Sequence, residues 1–387
     1  MCGFVGFTNF IGEKADRVLE DMMNKIVHRG PDSSGKFVNE YICLGFRRLS
    51  IIDLEGGSQP LYNEDGSMIL VFNGEIYNHR ELRNELIERG HIFKTRTDSE
   101  TLLHGFEEYG EELPSKLRGM FSFVIWDTKT KTLFGARDPF GIKPFYYAFM
   151  GKSMLFGSEI KGFLPHPDFE KKLNERALSS YLSFQYSPTE ETFFEGVYKL
   201  PPAHYFVYKD GEMQKTRYWR PEFSEDTSGK TMEQYADIVD RAIAESVEAH
   251  KISDVEVGSF LSSGIDSSYI AAKANVDKTF TVGFGSDEKY NEISYAKEFA
   301  EFIKTENIAK VITPEEFWGE FPKIQYQMDE PLADPAAVPL YFVSKLAAES
   351  VKVVLSGEGA DELFGGYKIY QTPLACPKYN KVPLIIR

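Results

Sequence analysis

Cys2-Gly3-Phe4-Val5-Gly6 follows Met1 directly, and how this stretch is read decides the fold of the first half of the chain. A residue as small as cysteine permits removal of the initiator methionine, which leaves Cys2 as the first residue of the mature chain. A free N-terminal cysteine joins a thiol to an α-amine of pKa near ~7.7–8.0, low enough to take the thiol proton directly or through water. No separate histidine base is then needed. By position alone Cys2 also reads as a small residue at a frayed terminus. The residues after it argue against fraying, because an apolar strand begins at the cysteine itself and would anchor the thiol in a sheet.

Working outward, 387 residues that are 42% hydrophobic and 14% aromatic are too many for one ordinary core and apolar enough for two. The net charge of −15, with no basic tract against it, disfavours nucleic-acid binding. Cys2, Cys43 and Cys376 are odd in number and lack the spacing of a zinc site or disulfide framework, which fits a reducing cytosol. The N-terminus has no basic-then-apolar leader, and no apolar run approaches the ~18 residues that span a bilayer, so a soluble, cytoplasmic protein is expected.

Residues 2–190 alternate strand-like runs (Ser67–Phe72, Met120–Trp126, Thr132–Ala136) with helical patterns (Ala15–Ile26, Ser99–Tyr109), the signature of a mixed, layered domain. Pro188, Pro201, Pro202 and Pro221, with the polar stretch Glu222–Lys230, make 188–230 read as irregular, and the connecting segment is placed at 191–230. From 231 to 387 strands Val255–Leu261, Thr279–Val282 and Val351–Leu355 are separated by helical patterns, which implies a parallel sheet with helices on its faces.

Five short motifs follow one another in the first half: Cys2–Gly6, His28-Arg29-Gly30-Pro31-Asp32, Arg47–Asp53, Asn73-Gly74-Glu75-Ile76-Tyr77-Asn78 and Thr97-Asp98-Ser99-Glu100. Out of context Asn73-Gly74 reads as a hairpin turn, Arg48 as a surface cation and Asp98 as a helix N-cap. In this order they resemble the glutaminase domain of the class II glutamine amidotransferases. That resemblance implies an α+β N-terminal-nucleophile sandwich (αββα). It implies attack by Cys2 on the glutamine amide, with the Asn73 side chain and Gly74 N–H as the oxyanion hole. Chemistry wants such donors, since losing one costs ~10²–10³ in rate. It also implies that Arg48, beside Leu49 and Ile51, grips the glutamine α-carboxylate and that Glu75 and Asp98 hold its α-amino group, roles that suit a planar guanidinium and paired carboxylates. His28 is expected to be structural.

In the second half, Val255–Leu261 runs into Ser262-Ser263-Gly264-Ile265-Asp266-Ser267-Ser268 and a helical pattern, Tyr269–Ala274. A strand, a small-residue loop and a helix start form an anion site from backbone N–H groups, hydroxyls and the helix dipole. No Walker-type lysine pattern accompanies it. The loop resembles the pyrophosphate loop of the N-type ATP pyrophosphatases, although Ser263 stands where that family more often has glycine and would restrict φ there. Strand Val351–Leu355 leads into Ser356-Gly357-Glu358-Gly359-Ala360-Asp361-Glu362-Leu363-Phe364-Gly365-Gly366-Tyr367, which resembles the signature of the glutamine-hydrolysing asparagine synthetases. The resemblance implies ATP contacts from Leu261, Ser262, Ser263, Gly264, Asp266, Ser267, Val282, Ser356 and Gly357. It places Glu358 and Asp361 by the metal and the acyl-adenylate, with Mg²⁺ on Asp266 and Asp361. Met328–Pro335 also matches that family, without a role for its residues.

Together the halves imply glutamine, aspartate and ATP as substrates, with asparagine, glutamate, AMP and pyrophosphate as products and a sheltered passage for ammonia. Another acceptor carboxylate, such as a cell-wall diaminopimelate, and glutaminase action alone stay open, as does homodimerisation. Family members run on past Arg387 with a lysine that neutralises charge during adenylation, so the synthetase half is expected to be incomplete here.

Overall fold

The computed structural model describes residues 1–9, 14–285, 291–371, 381 and 383, so Cys376 lies outside the described residues. The chain forms two compact units. The first comprises Met1–Lys230, Ile252–Asp254 and Phe321–Pro335; the second comprises Thr231–Lys251, Val255–Glu320 and Ala336–Arg387.

The strands of the first unit are β1 (Gly3–Thr8), β2 (Ser33–Val38), β3 (Ile42–Arg48), β4 (Leu61–Tyr62), β5 (Met68–Ile76), β6 (Gly119–Asp127), β7 (Thr132–Arg137), β8 (Tyr146–Met150), β9 (Ser153–Gly157), β10 (Val197–Lys199), β11 (His204–Lys209) and β12 (Glu212–Arg217). Its helices are α1 (Ala15–Lys25), α2 (His79–Glu88), α3 (Asp98–Tyr109), α4 (Leu113–Lys116) and α5 (Glu175–Phe184). Two antiparallel sheets result, β10-β8-β9-β1-β3-β2 and β12-β11-β7-β6-β5-β4. Successive strand residues point to opposite faces, and the core divides accordingly. Phe4, Leu44 and Phe46 of one sheet meet Ile69, Val71 and Val124 of the other between the sheets. Val5 and Phe7 turn outward onto Leu19 and Met22 of α1, while Leu70 and Phe72 turn outward onto Leu102 and Leu103 of α3. The layers are therefore helix, sheet, sheet, helix, the expected αββα sandwich.

Two local readings are corrected. Asn73-Gly74 is no hairpin turn: it lies inside β5, with Asn73 opposite Ser122 and Gly74 opposite Phe121 of β6. The apolar run before it continues through Ile76, and a strand paired along its whole length overrides a local turn preference. The stretch 188–230 is not irregular throughout, since it supplies β10, β11 and β12; β11 pairs with β7, a partner about 70 residues earlier in the chain that local pattern does not reveal.

The second unit contains α6 (Met232–His250), β13 (Val257–Phe260), α7 (Ile265–Ala274), β14 (Lys278–Phe284), α8 (Ile293–Ile303), β15 (Glu306–Ile312), the first residues of α9 (Pro314–Met328), α10 (Ala337–Ala347), β16 (Val353–Leu355) and α11 (Ala360–Phe364). Its sheet, β15-β14-β13-β16, is parallel throughout, as expected. Ala271 of α7 and Ala296 and Ala300 of α8 pack with Leu261, and Val343 and Ala347 of α10 pack on Phe280. Among the described residues no helix is long and apolar enough to cross a membrane.

Candidate functional site

β1 is an inner strand of its sheet, paired with both β3 and β9, so the residue that precedes it is held and not frayed. The Cys2 thiol donates to the Leu49 carbonyl at 3.5 Å and accepts from the Leu49 N–H at 3.4 Å, while Arg29 Nε donates to the Cys2 carbonyl at 2.9 Å. Burial pushes the Cys2 thiol pKa up, against the lowering effect of the Leu49 hydrogen bond. With Met1 in place the chain's amine is that of Met1, and burial pulls it down to about 5.

Asn73 is 1% exposed and its Nδ2 has no hydrogen-bond partner. A buried, unpaired amide donor costs on the order of 1–3 kcal/mol unless something else occupies it, and a ligand oxygen could do so. Gly74 is fixed by close packing. A Cβ there would meet the Met120 carbonyl oxygen at 2.2 Å and the Phe121 Cα at 2.8 Å.

Arg48 is buried, not the surface cation its isolated reading suggests. Its guanidinium donates to the carbonyls of Leu54 (3.2 Å), Ile52 (3.2 Å) and Asp53 (2.6 Å), and among the described residues no carboxylate ion-pairs with it. Gly57 makes this possible, because a Cβ there would meet Arg48 Nη2 at 2.3 Å. The positive charge is thus oriented yet unneutralised. Asp98 opens α3, but the N-cap is Thr97, whose side chain accepts from Glu100 N. Asp98 instead turns to β5, where its Oδ2 accepts from Ile76 N at 2.9 Å. Burial raises the pKa of Asp98; burial and then the charge of Asp98 raise that of Glu75. A positive group placed between the two would relieve both effects. Ile51 is half-buried, and its carbonyl accepts from Asp254 N at 3.0 Å.

Two cations complete this region that the sequence reading passed over. Arg29 bridges the Cys2 carbonyl to Glu159, at 2.9 Å, and its Nη2 is buried without a partner. Lys143 is 4% exposed, feels the charges of Arg29, Glu75, Asp138 and Cys2, and is pulled down to about 8, chiefly by burial. Its Nζ donates to the Met1 sulfur at 3.0 Å. The Asp138-Pro139-Phe140-Gly141 turn before it was the available signal: Asp138 accepts from four backbone N–H groups, including that of Lys143. His28, expected to be structural, is bound to Glu159 at 3.0 Å. Asp329 and Glu330, left without a role, serve the first unit: Asp329 pairs with Lys161 at 2.9 Å and accepts from Ile160 N at 2.6 Å, and Glu330 pairs with Lys199 at 2.7 Å.

In the second unit the two loops converge on one cleft of about 470 Å³ at the carboxyl ends of β13, β14 and β16. Leu261, Ser262, Gly264, Asp266, Ser267, Val282, Ser356, Gly357, Glu358 and Asp361 all line it; Ser263 does not. Ser262 and Ser267 hydroxyls are 2.7 Å apart, and the N–H of Ser263 donates to Glu292 Oε2 at 3.3 Å, so the loop already holds an anionic oxygen. The loop is tighter than expected. Helix α7 starts at Ile265, with Gly264 as N-cap and Asp266 in the first turn, where the dipole favours a carboxylate. The Ser263 departure is harmless to the backbone, since its φ is not positive. Gly357 lets the loops touch: a Cβ there would meet Ser267 N and the Asp266 carbonyl carbon at 2.9 Å.

Residues 1–219 match the glutamine amidotransferase domain family and residues 239–384 match the asparagine synthase family. The sandwich and the parallel-sheet unit thus define a glutamine amidotransferase domain followed by an asparagine synthase domain. Among curated relatives, asparagine synthetase [glutamine-hydrolyzing] 1 of Bacillus subtilis is 47% identical over 99% of this chain and 61% of that protein. Asparagine synthetase [glutamine-hydrolyzing] 3 of the same organism is 34% identical over 96% of this chain and 64% of that one. A provisionally named asparagine synthetase [glutamine-hydrolyzing] 2 of Methanocaldococcus jannaschii is 32% identical over 100% and 79%. The chain belongs to the glutamine-hydrolysing asparagine synthetase family. It spans 61% and 64% of the length of the two Bacillus subtilis relatives.

Proposed function

We propose that the first unit hydrolyses glutamine at Cys2 and that the second adenylates aspartate, so that the ammonia released converts it to asparagine. After Met1 is removed, the Cys2 α-amine takes the thiol proton and sulfur attacks the glutamine amide carbon. Asn73 Nδ2 and the Gly74 N–H receive the developing oxyanion. The amine returns the proton to the leaving nitrogen, and water then cleaves the thioester to glutamate. Arg48, flanked by Leu49 and Ile51, binds the substrate's α-carboxylate, and Glu75 with Asp98 its α-ammonium. In the second unit the aspartate side-chain carboxylate attacks the α-phosphorus of ATP and pyrophosphate leaves. Ammonia then displaces AMP from the acyl carbon. Backbone and hydroxyl donors at Leu261–Ser267, with Val282, Ser356 and Gly357, cradle the nucleotide, and Glu358 lies on the acyl-adenylate side.

The donor set of the cleft is all oxygen, which suits Mg²⁺; Asp266 and Asp361 would hold it, and its charge would offset that of the phosphates. The names of the relatives support aspartate as acceptor.

The observation that carries this reading is the buried, unpartnered Nδ2 of Asn73. Its test is glutamate release from glutamine. Cys2→Ala should abolish release, and Asn73→Ala should slow it by ~10²–10³ while the protein still folds, because the Nδ2 it removes makes no hydrogen bond. Full activity in Cys2→Ala, or a retained initiator methionine in active protein, defeats the assignment. Pyrophosphate release over a panel of carboxylates tests the acceptor, and inactivity with aspartate while diaminopimelate reacts would replace it.

A further inference from the structure

At the far end of α3 from Asp98, two histidines and two glutamates from three separate stretches of chain come together. His104 and Glu107 sit one turn apart on α3, His91 lies in the loop between α2 and α3, and Glu64 follows β4. One donor atom from each of the four falls within 4.8 Å of the other three. His104 Nδ1 lies 3.0 Å from a Glu107 oxygen and 3.4 Å from a Glu64 oxygen. His91 Nδ1 lies 3.6 Å from Glu64 and 3.8 Å from Glu107. Ligands placed tetrahedrally about an ion at ~2.0–2.1 Å are about 3.3–3.4 Å from one another. The histidine–glutamate spacings are therefore near those of ligands about a tetrahedral ion, and all four residues offer an atom within 4.8 Å of the others.

The surroundings have the form of an outer ligand shell. The far ring nitrogen of each histidine faces a carboxylate, His104 Nε2 towards Glu100 and His91 Nε2 towards Glu108, each at 3.6 Å. Neither contact is a hydrogen bond, and His104 Nε2 is buried without one, but the two carboxylates stand where outer partners of metal-bound imidazoles stand. Asn63 Nδ2 donates to Glu107 Oε1 at 2.7 Å and Ile92 N to Glu64 Oε1 at 3.2 Å, so both glutamates are oriented. His104 is 1% exposed in its side chain, while Glu64 and Glu107 are 34% and 22% exposed and give an ion a way in.

We propose that Glu64, His91, His104 and Glu107 form a four-coordinate site for a divalent transition-metal ion of the zinc type. Charge points the same way. Glu64, Glu100, Glu107 and Glu108 face two histidines, with Arg89 bound to Glu108. A dication held among them would offset the charge of these carboxylates. Two imidazoles with two carboxylates suit zinc, and cobalt(II) reports the same geometry by its colour. The ion would tie α3 to the connection between β4 and β5 and to the loop after α2.

The test uses the whole chain stripped with a chelator and titrated with cobalt(II). One equivalent should produce visible bands of a tetrahedral nitrogen and oxygen site, without a thiolate charge-transfer band, and one equivalent of zinc should displace it. His91→Gln, Glu107→Gln and the more exposed Glu64→Gln should each weaken binding by at least the ~10–100-fold that loss of an outer-shell partner alone costs. Their metal-free melting temperatures should match that of the parent. No retained ion, an octahedral spectrum, or equal affinity in all three variants overturns the proposal. Since the readout is the bound ion, it stands or falls separately from glutamine hydrolysis.

Discussion

Glu75 and Asp98 lie together in the first unit, and burial makes two adjacent negative charges costly there. Both carboxyls hold their protons more tightly folded than unfolded. The stability this contributes is complete below the ordinary carboxylate range and is lost as pH rises through the raised folded-state values. Glu75→Gln removes one member of the pair. The variant should keep its melting temperature better than the parent as pH is raised across that interval. If the pair also binds the substrate's ammonium, KM for glutamine should rise roughly 10- to 100-fold, the worth of a hydrogen bond to a charged group. A parallel pH–melting profile in parent and variant would refute the repulsion. Lys143 and Arg29 belong to the same scale. The partner of Arg29, Glu159, lies 130 residues away and could not be read from sequence, and for Lys143 only the turn at Asp138 offered a local signal.

Helices and strands repeat the lesson. The inner strands β5, β6, β7 and β13 and helices α1 and α3 were legible because alternation or helical spacing of apolar residues reports burial directly. β11 was not, although Phe206 and Tyr208 reach the inter-sheet core, because Pro201-Pro202 and Gly211 punctuate the stretch and its pairing partners are settled by tertiary packing. The nucleotide loops were legible as sequence, yet their mutual contact was not. Gly357 presses on the start of α7, so Gly357→Ala should spread the two loops. That predicts ATP binding weakened at least tenfold and the second unit destabilised by about 1–3 kcal/mol, the usual cost of overpacking. Calorimetric ATP titration checks the first and unfolding the second. Glutamate release should be unaffected, since Gly357 belongs to the other unit.

At the level of the whole molecule, the first unit runs to Lys230 and also takes in residues 252–254 and 321–335. Asp329 is the sharpest measure of that return. Its carboxylate neutralises the buried Lys161 and accepts from Ile160 and Lys161 N–H. Asp329→Ala leaves those donors buried, with Glu159 as the remaining counter-ion of Lys161, at 2.5 Å. About 3 kcal/mol should be lost from the first unit, seen as a lower unfolding midpoint for it. An unchanged midpoint would show the carboxylate to be dispensable. The same return constrains how the amidotransferase part can be exchanged. Exchange of the amidotransferase part between homologues would have to carry a short downstream passage with it, so chimaeras spliced once near residue 230 should pair Lys161 and Lys199 with a foreign copy of Asp329 and Glu330, and succeed only where the donor of the downstream part preserves both acids.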